Sequence, residues 1–173
     1  MSSPTFHLIQ SLSASAVLYP IIGENVIPFR LAVIFIDIDH GIEYVADTNN
    51  FNPRGLLVYH EIITKNLDKN YLGLNVFHTF ECYLLMLILA HWFPIYYYIL
   101  LGFLFHHLAD QIGLVKMGKP FVRAFSILEY AIRKKRHEIS LKKILSQGTA
   151  NIEGVPDINK WFVKWGINCS QNR

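Results

Sequence analysis

The sequence predicts an all-α fold: a small helical membrane bundle with a central helical hairpin and interfacial helices. Three observations predict it. Residues 82 to 109 form a run of 28 with no Asp, Glu, Lys or Arg. Charged residues make up 17% of the chain, against about 25% in soluble proteins, and the mean hydropathy is +0.27. Finally, Arg133, Lys134, Lys135, Arg136, Lys142 and Lys143 crowd together just after the last apolar segment, as a cytoplasmic juxtamembrane stretch does.

The long run sets the hairpin. A single span takes about 20 apolar residues, so the run is too long for one helix and too short for two unless its flanks contribute. Leu72 to His91 and Pro94 to Leu114 each supply that length, and the residues around Trp92 and Phe93 form the turn. Pro94 suits a helix start, where its missing N–H costs nothing.

Two shorter apolar stretches, His7 to Ile22 and Val26 to Ile38, precede the hairpin and are bounded by Pro20 and Pro28. They predict a tilted or re-entrant helical pair. Next comes a polar loop, residues 48 to 55, and then an amphipathic helix through Leu56, Leu57, Ile62, Ile63 and Leu67, placed at the interface. Residues 120 to 132 are apolar on one face and run into the basic cluster, which suits a helix at the membrane surface. The expected organisation is a helical membrane domain over 1–132 and a basic cytoplasmic segment over 133–173. The expected location is the inner (plasma) membrane, with several passes.

Some functions are disfavoured by composition. Only Cys82 and Cys169 occur, so there is neither a disulfide framework nor a CxxC metal motif. The basic run lacks the aromatic platform and motifs of a nucleic-acid site, and no nucleic-acid partner is expected.

The chemistry lies in three pairs of a histidine and a carboxylate three or four positions apart: Asp37 with His40, His78 with Glu81, and His106 with Asp110. Those spacings put both members on one helix face, in the manner of the Glu-x-x-His ligands of di-metal bundles. A turn centred on Trp92 and Phe93 also sets His78 opposite His106, with Glu81 and Asp110 within a turn of that level. Each ionisable group in an apolar span costs roughly 2.5–3.5 kcal/mol on insertion scales. Arg30 is the only Lys or Arg among the first 53 residues, so divalent metal compensates Asp37, Asp39, Glu81 and Asp110 better than protein cations do. His and carboxylate donors suit zinc, and also manganese or iron.

His7, at the start of the first apolar segment, is a further candidate ligand. Asp39 points away from Asp37 on an ideal helix, so both reach one site only if the helix ends or bends between them. His91 and His107 are expected as hydrogen-bonded core residues, His60 as interfacial and His137 as a solvated charge.

Three motifs, Ile-Asp-Ile-Asp-His (36–40), Phe-His-Thr-Phe-Glu (77–81) and Gly-Phe-Leu-Phe-His-His-Leu-Ala-Asp (102–110), together with the early Phe-His-Leu-Ile, resemble the membrane-bound metal-dependent hydrolase-like family of bacterial inner-membrane proteins. The resemblance covers roughly residues 5 to 115. It implies that His7, Asp37, Asp39, His40, His78, His106 and Asp110 are site residues. Ile36 stands where that family has Pro, and of its paired-histidine element only His78 remains, so Glu81 is an addition of this sequence. A more distant likeness to zinc-dependent phospholipase C implies phosphoester cleavage as the reaction class.

The expected function is therefore a metal-dependent hydrolase acting on a membrane lipid or lipid-linked substrate such as a phosphoester, with Glu81 or Asp39 taking the proton. Two other readings stand beside it. In one the cluster relays protons or ions; in the other it hydrogen-bonds helices together in a structural membrane protein.

Overall fold

The computed structural model describes residues 4–67 and 70–149, and these are mostly helical. The helices are α1 (Pro4–Ile22), α2 (Val26–Phe35), α3 (Ile38–Thr48), α4 (Pro53–Lys65), α5 (Phe80–Ala90), α6 (Ile95–Lys116) and α7 (Ile127–Thr149). Among the described residues no strand forms, and the single bridge pairs Gly73 with Arg123. The chain forms two compact units. Of the described residues, the first takes in 4–39, 75–120 and 125–127; the second takes in 40–67, 70–74, 121–124 and 128–149.

In the first unit α2 packs against both α1 and α6, and α5 packs along α6. Local chemistry sets the helix ends. Gly23 has φ +57°, a conformation that glycine adopts without strain, and it lies in the 3-10 turn Gly23–Asn25 between α1 and α2. Pro28 falls in the first turn of α2, where an N–H has no intrahelical partner to lose. At the far end of α6, Gly118 has φ +68°. There Lys119 N donates to Leu114 O and Gly118 N to Val115 O, the paired bonds of a Schellman cap. Ala32, Ile36 and Phe103 form the core, with Phe77, Tyr83, Met86 and Ile99 packed around them. Gly102 makes the α2–α6 contact close: a Cβ there would come 2.5 Å from Phe29 O and 2.8 Å from the Ala32 Cβ.

The hairpin turn falls where the sequence predicts it, between Ala90 and Ile95. The segment 72–91 differs from expectation in not being one helix. Gly73 pairs with the Val122–Ala124 segment, Val76–His78 is a 3-10 turn, and α5 begins only at Phe80. Thr79 fixes that start: its Oγ1 donates to Val76 O at 2.8 Å and accepts from Cys82 N at 3.4 Å. Among the described residues one helix, Ile95–Lys116, is long and apolar enough to cross a membrane; Phe80–Ala90 is apolar but shorter.

In the second unit, Asn52 caps α4 by accepting from Arg54 N, and Pro53 occupies the first helical position. Tyr44, Tyr59, Ile62, Ile63, Leu72, Val122, Leu141 and Ile144 are buried. Asn70 O accepts hydrogen bonds from Arg136 Nε and Ser140 Oγ of α7. His137 is buried rather than solvated, a correction explained below. The expected docking of Trp161 and Trp165 lies outside the described residues.

Candidate metal centre

Four elements of the first unit converge on one polar knot. The α2–α3 junction supplies Asp37, the 3-10 turn before α5 supplies His78, α6 supplies His106 and Asp110, and α1 supplies His7. Ligand-type atoms of Asp37, His78, His106 and Asp110 all lie within 4.8 Å of one another. His106 Nε2 stands 3.3 Å from Asp37 Oδ1 and 3.7 Å from Asp110 Oδ2, while His78 Nε2 is 3.9 Å from Asp37 Oδ1. His7 Nε2 lies 3.7 Å from Asp37 Oδ2 and 3.8 Å from Asp110 Oδ1, and its ring stacks on His106 with centroids 4.1 Å apart.

The outer nitrogens of the two central imidazoles are anchored. His106 Nδ1 is 2.9 Å from Val33 O, a carbonyl that only accepts, so Nδ1 carries the proton and neutral His106 keeps its lone pair on Nε2. His78 Nδ1 is 3.0 Å from Asp39 Oδ2, which also accepts from Phe77 N at 3.0 Å. With Asp39 Oδ2 as the acceptor, the same assignment follows for His78. A carbonyl or carboxylate behind a histidine, orienting the ring and fixing its tautomer, is the usual support for a metal-ligating imidazole.

The donor set fits a divalent ion on its chemistry. Oxygen and nitrogen donors about 2.0–2.2 Å from zinc stand roughly 3.3 Å apart in a tetrahedron; here Asp37–His106, His106–Asp110 and Asp37–His78 stand at 3.3, 3.7 and 3.9 Å, and all four donors lie within 4.8 Å of one another. Among the described residues His106 Nε2 is buried with no well-aligned hydrogen-bond partner, facing the Asp37 and Asp110 carboxylates. His7, Asp39, His78, His106 and Asp110 are buried as well, whereas the Asp37 side chain keeps 29% of its surface exposed and forms the open side of the knot.

Glu81 and His40 have further partners of their own. Glu81 sits in the first turn of α5, where its carboxylate accepts from Ser126 Oγ and from Ile127 N at the start of α7. His40 falls in the second unit, with Nδ1 3.8 Å from Glu43 Oε2 and its ring edge-on to His60. Asp39 and Asp37 flank His78 on its two nitrogens because α2 stops at Phe35 and α3 starts at Ile38, the interruption that their shared role requires. His107 stacks obliquely near His78 and Tyr83, and His91 is exposed beside Trp92.

The second unit holds a polar cluster that sequence reasoning missed. Glu43 and Asp47, one turn apart on α3, approach His137 of α7, with ligand-type atoms within 4.8 Å. His137 Nε2 lies 3.2 Å from Asp47 Oδ1 and Nδ1 lies 2.7 Å from Leu72 O. Tyr59 donates to Asp47 Oδ2 at 2.6 Å and Tyr71 to Glu43 Oε1 at 2.9 Å. Burial alone would lower the His137 pKa, but its hydrogen bond to Asp47 and the charges of Asp47 and Glu43 outweigh burial and raise it. Burial would raise Glu43, yet His40, His137 and Tyr71 together bring it below the usual value. Tyr59 and Tyr71 are both pushed well up, chiefly by burial. Every nitrogen of His137 faces an acceptor, so this cluster reads as a proton-filled structural network.

Comparison of the chain with family models, curated proteins and solved structures finds no match.

Proposed function

We propose that the first unit is a membrane-embedded metal-dependent hydrolase centre acting on a membrane-associated phosphoester. The observation that carries this reading is the pair His78 and His106. Each is anchored through Nδ1 and presents Nε2 to the same carboxylate, Asp37. The resemblance of residues 5 to 115 to the membrane-bound metal-dependent hydrolase-like family supports it.

His78, His106 and Asp110 would hold the ion, with His7 and Asp37 completing the set; zinc suits these donors best, and manganese or iron are alternatives. A bound divalent ion supplies Lewis acidity and lowers the pKa of water. In hydrolysis the water oxygen bonds to phosphorus and the P–O bond to the alcohol breaks. One water proton passes to Asp37, the exposed carboxylate, and from there to the departing alkoxide. Asp39 acts through His78 as a positioning residue, and Glu81 holds the start of α7.

Membrane embedding rests on α6 and on the large apolar side chains that α1, α2, α5 and α6 turn outward, among them Ile9, Val17, Leu31, Leu85, Leu104 and Ile112. The basic run after Ile132 assigns that end to the cytoplasmic side of a plasma membrane, in a multi-pass topology.

The test is elemental analysis of detergent-purified protein together with assay of a phosphoester panel. Stoichiometric metal and hydrolysis, both lost in His78→Ala and Asp110→Ala, are expected. Full metal content in both variants overturns the assignment. Metal without hydrolysis of any phosphoester points instead to ion or proton transfer.

A further inference from the structure

Near the polar knot an open groove of about 490 Å³ is lined by Gln10, Ala14 and Leu18 of α1, Phe29 of α2, and Leu101 and Phe105 of α6, with the outward-facing Val17 at its rim. That volume lies within the range of small-molecule sites, about 300–1,000 Å³. Its position relative to the knot is the same on all three helices. On α1 the lining residues start one turn after His7. On α6 they start one residue before His106 and recede from Asp110. On α2 Phe29 lies eight residues before Asp37, about 12 Å at the helical rise. The groove therefore begins at the knot and leads away from it: α1 and α6 meet at the His7–His106 stack, and beyond it the cleft between them is occupied by Phe29 and Phe105, whose rings stand 5.7 Å apart.

The surface the groove exposes is apolar throughout. At the end nearest His7 the Gln10 side chain is turned toward the His7 imidazole, which ties the first lining residue to the knot.

Polar knot and apolar groove follow one another along α1 and α6, which is the polarity of a single-tailed amphiphile. We propose that the groove binds one acyl or alkyl chain of the substrate, so that the hydrolysed bond lies at the head of a lipid. The substrate class is then a lipid phosphoester, as distinct from a soluble one. This inference rests on the hydrolase reading for its catalytic consequence, but the groove itself is testable without turnover.

The kinetic experiment uses metal-loaded full-length protein and p-nitrophenyl alkyl phosphates of increasing chain length, each below its micelle-forming concentration, with the methyl ester as the tail-less reference. In wild type, kcat/KM is expected to rise up to about fourfold per methylene, the factor corresponding to burial of one CH₂, until the groove is filled. Ala14→Trp, which fills the groove, should flatten that series and leave metal content and the methyl ester rate unchanged. Leu18→Trp provides the same block from the next turn should Ala14→Trp fold poorly. A flat series in wild type, or an unchanged slope in a folded groove variant, overturns the proposal.

The second readout needs no activity. A monoalkyl phosphate carrying a terminal diazirine is photolysed on the protein in detergent, and the labelled peptides are mapped. Labelling concentrated on α1 around Ala14 to Leu18 and on α6 around Leu101 to Phe105, and lost in the groove variant, supports the chain site even if no phosphoester is hydrolysed. Labelling spread over the outward apolar faces overturns it even if hydrolysis is found.

Discussion

Asp39 Oδ2 lies 3.0 Å from His78 Nδ1, on the side of the ring away from the knot. In the proposed metal centre this carboxylate orients His78 from behind. Loss of an outer partner of this kind costs about 10–100-fold in metal affinity. Asp39→Ala is expected to weaken zinc binding within that range, measured by competition with a chromophoric chelator, and to leave stoichiometry at saturation unchanged. Loss of stoichiometric metal at saturating zinc would make Asp39 a ligand in its own right.

Gly102 sets how closely α2 approaches α6. Because an added Cβ would meet Phe29 O at 2.5 Å and the Ala32 Cβ at 2.8 Å, the backbone itself obstructs any side chain. Overpacking of this kind costs about 1–3 kcal/mol. Gly102→Ala should lower the melting temperature in detergent and, by shifting Val33 O away from His106 Nδ1, weaken metal binding too. A melting temperature equal to wild type would show that the two helices part freely.

Much of the first unit is legible in the sequence, and the exceptions have physical causes. The turn at Trp92 and Phe93 and the length of α6 follow from apolar run length and Pro94, and the hairpin register brings His78 to His106. The i,i+3 pairing of His78 with Glu81 assumes continuous helix. Thr79 starts α5 between them, so His78 turns into the knot and Glu81 toward Ser126. His137 is harder to place because it follows Arg133, Lys134, Lys135 and Arg136, a run whose charge suggests solvent. The buried set His137, Ser140, Leu141 and Ile144 nevertheless recurs at helical spacing, and that periodicity outweighs the charge. The match of Glu43 and Asp47 to His137 is a tertiary relationship that no local pattern contains.

His137 gives the second unit a pH dependence whose sign is fixed by its surroundings. Facing it are Asp47 and Glu43 of α3, Leu72 O, Tyr71, and Tyr130 of its own helix. Its folded pKa lies above the ordinary value of 6.5. The stabilisation is therefore fully present below about pH 6.5 and is lost as pH rises through the folded pKa. Thermal melts across that window should show the second unit weakening toward alkaline pH in wild type. In His137→Gln the slope should vanish and the unit should be less stable at acid pH by about 3–5 kcal/mol, the cost of leaving a buried partner charge uncompensated. A slope of the same size in the variant would assign the dependence to another group.

Metal removal should separate the two units. An ion that binds the folded knot and not the unfolded chain stabilises by about 2.7 kcal/mol when its free concentration is 100 times the dissociation constant. Chelation of purified protein should therefore lower the melting temperature, and added zinc should restore it. His106→Ala removes the imidazole that touches both Asp37 and Asp110, so its melting temperature should no longer respond to chelator or zinc. His137→Gln alters a cluster in which both imidazole nitrogens are already engaged by Asp47 and Leu72, so its response to zinc should match that of wild type. If His137→Gln abolishes the zinc response and His106→Ala preserves it, the ion belongs to the Glu43–Asp47–His137 cluster and the hydrolase centre proposed for the first unit fails.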